Sequence, residues 1–214
     1  MEPVAVVMAA AGGLLGFGAD RLATRWPEHD EDDPAGRPIG WRTVVCVAIG
    51  ASAFGLLATR FPGDLLATLA FGAWFVTLVV GLGTDLDQRL LPNVLTLPVI
   101  PLALAYAASG RNPLVGDAVV AAVLVAIVVP LVLYVPSLAF GAGAFGLGDV
   151  KLLVGAGLML GLSRSLGGLV FGLLVAGVVL LLLLAARRIQ RRSYVPFGPF
   201  LIVGALWGSL VLAG

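Results

Sequence analysis

Residues 65–84 form the stretch LLATLAFGAWFVTLVVGLGT, which contains no charged side chain. A polar segment, DLDQRLLPN, follows directly at residues 85–93. A helix needs about 20 apolar residues to cross the hydrocarbon core of a bilayer. The stretch therefore predicts a membrane-spanning helix that carries two carboxylates, Asp85 and Asp87, at one of its ends.

The rest of the chain has the composition of a protein that crosses the membrane several times. Of its 214 residues, 60% are hydrophobic and 12% are charged, and the mean hydropathy is +1.07. Soluble domains have about 25% charged residues. We expect an all-α polytopic membrane helix bundle of about eight transmembrane helices, with residues 1–214 forming one integral-membrane domain. The apolar runs predict spans at residues 3–19, 43–59, 65–84, 92–108, 116–136, 150–162, 166–186 and 194–213.

The basic residues predict which loops face the cytoplasm, because Lys and Arg concentrate in cytoplasmic loops. In the eight-span arrangement, ten of the thirteen lie on one side: Arg21, Arg25, Arg37, Arg42, Arg89, Lys151, Arg187, Arg188, Arg191 and Arg192. This side includes a short acidic loop at residues 20–42. We therefore expect the loop at 20–42 and the ends of the spans that carry Asp85 and Asp149 to be cytoplasmic.

The residue inventory excludes several classes of function. A net charge of +1 argues against a nucleic-acid partner. The chain has one histidine, His29, and one cysteine, Cys46, and it lacks an HExxH motif. It therefore cannot supply the nitrogen and sulfur ligands of a catalytic zinc, nor a Ser/His pair within the spans. We expect no metal and no cofactor, and chemistry based on two carboxylates stays available.

The two candidate carboxylates are Asp85, which closes the third predicted span, and Asp149, which opens the sixth. The topology places both at the same depth on the same side of the membrane, so they could meet. One carboxyl of such a pair can donate a proton while the other activates water. Near them, Gly146 and Gly148 would let the backbone bend and a substrate approach Asp149, and Pro92 with Asn93 would restart a helix after a tight turn.

Local chemistry alone also permits a simpler interpretation of these acids. Asp85 and Asp87 could be interfacial acids beside Arg89, and Asp149 could be a helix-start residue that the helix dipole favours. Two broader alternatives are a non-enzymatic carrier or channel component and an intramembrane protease of the signal peptide peptidase type. The first would need acids near the bilayer midplane, and the predicted apolar spans contain none there.

In the residues of its motifs and in their order, the chain resembles the type IV prepilin peptidase family, a branch of the GxGD membrane aspartic proteases. The motifs are Asp85 followed by Leu91-Pro92-Asn93, then GLGDVK at residues 146–151 and, more weakly, VPFGPF at 195–200. The resemblance implies Asp85 and Asp149 as the catalytic pair. It also implies cleavage of the basic leader of type IV prepilins, or of the pseudopilins of type II secretion. The cut would be made at the cytoplasmic face of the bacterial inner membrane.

The resemblance leaves the supporting residues open. Asp87 could assist catalysis or pair with Arg89, and Lys151 could tune Asp149 or anchor the chain at the interface by snorkelling. Many family members also carry two CxxC pairs in the first cytoplasmic loop and methylate the new N-terminus. Residues 20–42 hold no cysteine, so we predict a peptidase without that methyltransferase element.

The acid-rich stretch at residues 28–33, EHDEDD, has two possible roles. Charge runs of this kind are usually solvated linkers. Because a prepilin leader is basic, the same charges could also steer the substrate toward the active site in a salt-dependent way.

Overall fold

The structure is a computed structural model that describes residues 3–28, 36–138, 145–188 and 196–211. In these ranges it contains helices and no strand, which confirms the predicted all-α class. The helices are α1 (Pro3–Ala23), α2 (Trp41–Arg60), α3 (Leu65–Gln88), α4 (Asn93–Thr96), α5 (Val99–Ala108), α6 (Val119–Ser137), α7 (Leu147–Ala185) and α8 (Gly198–Leu210).

Five of these helices, α1, α2, α3, α6 and α7, are long and apolar enough to cross a membrane. Two shorter apolar helical segments, Asn93–Ala108 and Gly198–Leu210, accompany them in the described part of the chain. A polytopic helical membrane protein is therefore confirmed. The number of crossings, which the sequence puts at about eight, stays a prediction.

Helix α7 combines two of the predicted spans, 150–162 and 166–186, in one element of 39 residues. Its backbone leaves the helical region at Gly161, where φ is 71° and ψ is −175°. This conformation is essentially restricted to glycine. The break therefore falls at Gly161 rather than in the polar residues 163–165 that separate the predicted spans.

The chain divides into two compact units, Met1–Thr96 and Leu97–Gly214. In the first unit, α1 packs along α2, and α3 packs against both. The core of this unit is aromatic: the rings of Phe61 and Phe71 stack at 4.8 Å between centroids, and Phe75 is fully buried. The expectation that residues 1–214 form one domain stays a prediction.

In the second unit, α7 packs against α5, α6 and α8. The approach to α6 depends on Gly157, where an added Cβ would lie 2.7 Å from the Cα of Ala126. Near the break in α7, the Nδ2 group of buried Asn112 donates to the carbonyl of Met159 at 3.0 Å. Asn112 thus supplies a donor to a carbonyl two residues before the interruption.

Candidate active site

Asp85 lies in the last turn of α3 and is almost completely buried, with 5% of its surface exposed. The residue before it, Thr84, is fully buried. The helix ends at Gln88, and Arg89 caps it with a left-handed φ of 56° and an N–H that donates to the carbonyl of Asp85 at 2.9 Å. A carboxylate is therefore held out of water at the end of an apolar helix, as the sequence predicts.

The chain turns immediately after Arg89 and begins α4 at Asn93. Leu91 and Pro92 are buried, whereas Asn93 is exposed. The carbonyl of Pro92 accepts hydrogen bonds from the N–H groups of Leu95 and Thr96, at 3.0 and 3.2 Å. This is the tight turn and helix restart predicted from Pro92 and Asn93, and any contact of these residues with substrate stays a prediction.

Asp87 takes part in ion pairs with residues from an earlier part of the chain. Its Oδ1 accepts from Arg37 Nε and from Arg42 Nη1, each at 2.7 Å. The Asp87 side chain is 6% exposed. The sequence suggested Arg89 as an ionic partner of Asp87. In the structure Arg37 and Arg42, which lie 50 and 45 residues earlier in the chain, form ion pairs with Asp87.

Asp20 was not among the candidate site residues, because the sequence places it in the acidic loop predicted at residues 20–42. In the structure Asp20 belongs to α1 and is fully buried. Its carboxylate accepts from Arg21, from Arg37 Nη2 at 2.7 Å and from Thr43 Oγ1 at 2.7 Å. An acid at the end of an apolar span signals that a partner is needed, but the sequence does not identify that partner.

The guanidinium of Arg37 joins both acids in one group, which we call the ion cluster: Asp20, Arg37 and Asp87. Partial burial acts to lower the pKa of Arg37, but its hydrogen bonds to Asp20 and Asp87 outweigh this effect and raise the pKa. The cluster therefore keeps a charged guanidinium between a carboxylate of α1 and a carboxylate of α3.

Asp149 lies in the first turn of α7 and is 9% exposed. Its Oδ2 accepts the backbone N–H of Gly146 at 3.0 Å, so the carboxylate caps its own helix. Gly146 has an extended backbone that any residue can adopt, and an added Cβ would lie 3.7 Å from Asp149 Oδ2. The roles of Gly146 and of neighbouring Gly148 in admitting a substrate stay predictions.

Lys151 follows in the same helical turn and is half-buried, and its effect on Asp149 stays a prediction. Of the other sequence features, most of the acidic stretch falls in residues 29–35, outside the described residues, as does Val195 of the third motif. Of the rest of that motif, Pro196 and Phe197 directly precede α8, and Pro199 lies in its first turn. In the described ranges, no three His, Cys, Asp or Glu side chains could hold a metal ion.

The structure thus places Asp85 and the ion cluster, which includes Asp87, in the first unit. It places Asp149, Gly146, Gly148 and Lys151 at one helix start in the second unit. The approach of Asp85 to Asp149 stays a prediction. These features define a polytopic helical membrane protein with buried carboxylates at the ends of apolar helices.

Comparison with known proteins agrees with this class and identifies one family within it. The model of the type IV leader peptidase family matches residues 69–185, which include both Asp85 and Asp149. The prepilin leader peptidase/N-methyltransferase of Aeromonas salmonicida (strain A449) is 31% identical over 184 residues, covering 72% of this chain and 60% of the relative. The protein of the same name from Burkholderia pseudomallei (strain 1026b) is 33% identical over 169 residues, covering 78% and 54%.

The chain therefore belongs to the type IV leader peptidase family. It spans about 60% of the length of the Aeromonas relative and 54% of that of the Burkholderia relative. No solved structure matches the chain.

Proposed function

We propose that this protein is a membrane aspartic endopeptidase that removes the basic leader from type IV prepilins or pseudopilins. The observation that carries the proposal is the burial of two carboxylates, Asp85 and Asp149, each at the end of an apolar helix and both inside the family match. Burying a carboxylate is costly, so such residues in membrane helices are functional candidates by default.

In this proposal the two carboxyl groups act as an acid/base pair. Like charges that share a site do not both ionise readily, so one carboxyl keeps its proton and the other is ionised. The ionised carboxylate takes a proton from a water molecule, which attacks the scissile carbonyl, and the protonated carboxyl donates to the developing amine. Both groups already lie out of bulk water, which strengthens their electrostatic effect on the reacting atoms.

The basic residues support an orientation with the active site at the cytoplasmic face of the bacterial inner membrane. The positive-inside rule assigns the loop that follows α3 and the segment that precedes α7 to that side. There the leader of a prepilin is accessible before its hydrophobic helix leaves the membrane. The substrate and the lipid bilayer are the partners that this function needs.

A cleavage assay with the purified protein tests the proposal. Candidate prepilins from the same genome are incubated with the wild type and with the Asp85→Asn and Asp149→Asn variants. We expect leader removal by the wild type and its loss in both variants, because each lacks a member of the acid/base pair. Asp117→Asn, which changes an exposed acid in a turn, is the matched control and should keep full activity.

Two results would contradict the proposal. One is near-wild-type cleavage by either catalytic variant, and the other is failure of the folded wild type to cleave any candidate prepilin. Monodisperse behaviour in detergent and an unchanged helical circular dichroism spectrum establish that each variant is folded.

We also propose that the protein cleaves without methylating, because residues 20–42 contain no cysteine. Mass spectrometry of pilin matured by this protein alone, with S-adenosylmethionine present, should show a free N-terminal amine. A mass increase of one methyl group that depends on this protein would overturn the prediction.

A further inference from the structure

The polar side chains of the last turn of α3 bind the end of α1, the segment that follows α1 and the start of α2. Asp87 accepts from Arg37 and Arg42, and Gln88 Nε2 donates to two backbone carbonyls at the end of α1 and just beyond it, at 3.2 and 3.1 Å. These attachments immediately follow Asp85. The end of a helix has fewer intrahelical hydrogen bonds than its middle, so such side-chain contacts decide how firmly this turn is held.

Arg37 occupies the central position among these contacts. Its Nε donates to Asp87 Oδ1 and its Nη2 donates to Asp20 Oδ1, both at 2.7 Å. Asp20 is itself fixed, because it is fully buried and accepts from Thr43 Oγ1 at 2.7 Å. A planar guanidinium that binds two carboxylates through different nitrogens constrains their relative orientation. Arg37 therefore connects the end of α3 to a fixed point in α1.

We propose that Arg37, anchored by Asp20, is a positioning residue for the catalytic carboxylate Asp85. The proposal rests on the function proposed above. Asp87 lies two residues beyond Asp85, and the N–H of Arg89 closes the same turn on the Asp85 carbonyl. A displacement of Asp87 therefore also displaces the backbone of Asp85, which lies in the same helical turn. A displacement of about 1 Å from the reactive geometry can reduce the rate by about 100-fold.

The kinetic test uses Arg37→Gln, Asp87→Asn and the double variant, each assayed for leader cleavage per folded enzyme. We expect kcat to fall about tenfold in each single variant while KM changes less than about twofold, because alignment is lost rather than substrate contact. Because Arg37 acts through Asp87, the double variant should lose no more than the more impaired single variant. Arg25→Gln, which removes an exposed arginine beyond α1, should keep the wild-type kcat.

A second measurement does not depend on activity. Hydrogen–deuterium exchange of the amides of residues 85–89 should be about tenfold faster in Arg37→Gln than in the wild type, since a less anchored turn opens more often. Arg25→Gln should exchange like the wild type. Arg37→Lys keeps the charge but loses the planar fork, so its exchange rate and its kcat should lie between those of the wild type and Arg37→Gln. If Arg37→Gln does not fold, Arg37→Lys replaces it in both measurements.

Wild-type kcat and wild-type exchange in the folded Arg37 variants would overturn the proposal. Losses that multiply in the double variant would also overturn it, because the two residues would then act independently. A different result would contradict the proposed function itself, namely leader cleavage by the Asp85→Asn variant.

Discussion

The end of α3 and the beginning of α7 both present a buried aspartate, but the protein holds the two in different ways. Around Asp85 the support is tertiary: the last turn of α3 is bound by the Ala23 carbonyl of α1, by Arg37 of the following segment and by Arg42 of α2. Around Asp149 the support is local, since the carboxylate caps its own helix through the N–H of Gly146. One site therefore depends on packing between distant segments, whereas the other is largely encoded within four residues.

The largest effect is expected for Asp149→Glu, which should lower the cleavage rate while leaving the helix cap intact. Glutamate at this position can still accept the N–H of Gly146, so the free energy of unfolding should change by less than about 0.5 kcal/mol. Because the carboxyl group would be displaced by the length of one methylene group, the rate of leader cleavage should fall about 100-fold. Thermal unfolding in detergent and initial cleavage rates measure the two effects. Full activity would mean that Asp149 only caps the helix.

At the other site, loss of the ionic support should reduce stability. Asp87→Asn removes the carboxylate that binds Arg37 and Arg42, which are partly exposed. We expect the free energy of unfolding to decrease by about 2 kcal/mol, between the values typical of exposed and of buried ion pairs. Denaturation of Asp87→Asn beside Asp117→Asn measures the difference, and equal midpoints would show that the ion pairs of Asp87 contribute nothing to stability.

The break in α7 provides a comparison within one helix. Gly161→Ala should lower the free energy of unfolding by about 1–2 kcal/mol, because alanine is strained at a φ of 71° and a ψ of −175°. Gly177→Ala is the matched control, since Gly177 lies within the helix and an added Cβ would meet nothing within 4 Å. It should be neutral or slightly stabilising. Equal losses in the two variants would show that Gly161 is not conformationally required.

The smallest effect is expected from the acidic stretch at residues 28–33. If it steers a basic leader, changing Asp30, Glu31, Asp32 and Asp33 to Asn or Gln should raise KM about twofold at low salt and leave it unchanged at high salt. Leader cleavage measured over a range of salt concentrations provides the test. A salt dependence identical to that of the wild type would leave the linker interpretation.

Much of this fold was predictable because uncharged runs of about 20 residues have few alternatives to membrane helices. The third predicted span, residues 65–84, corresponds to α3 at Leu65–Gln88. The position of the break in α7 was not predictable from hydrophobicity, because Gly161 lies within an apolar run and its role is set by backbone conformation.

The candidate site shows the same division. Asp85 and Asp149 stand out in the sequence because a carboxylate at the end of an apolar span is unusual and both belong to recognisable motifs. Asp20 also follows an apolar span, but it belongs to no recognisable motif, and its partner Arg37 lies 17 residues away in the sequence. Arg37 in turn contacts Asp87 across 50 residues. Such pairings depend on how α1, α2 and α3 pack, and a single sequence contains no direct record of that packing.

A double-mutant cycle tests whether the two carboxylates, which the protein holds in different ways, act as one catalytic pair. Single-turnover rates of leader cleavage are measured for the wild type, Asp85→Asn, Asp149→Asn and the double variant. Each single variant should lose about 1000-fold in rate. The double variant should lose no more than the more impaired single variant, since residues that act as a unit are not additive. A single variant that cleaves at the wild-type rate, or losses that multiply in the double variant, would contradict the claim.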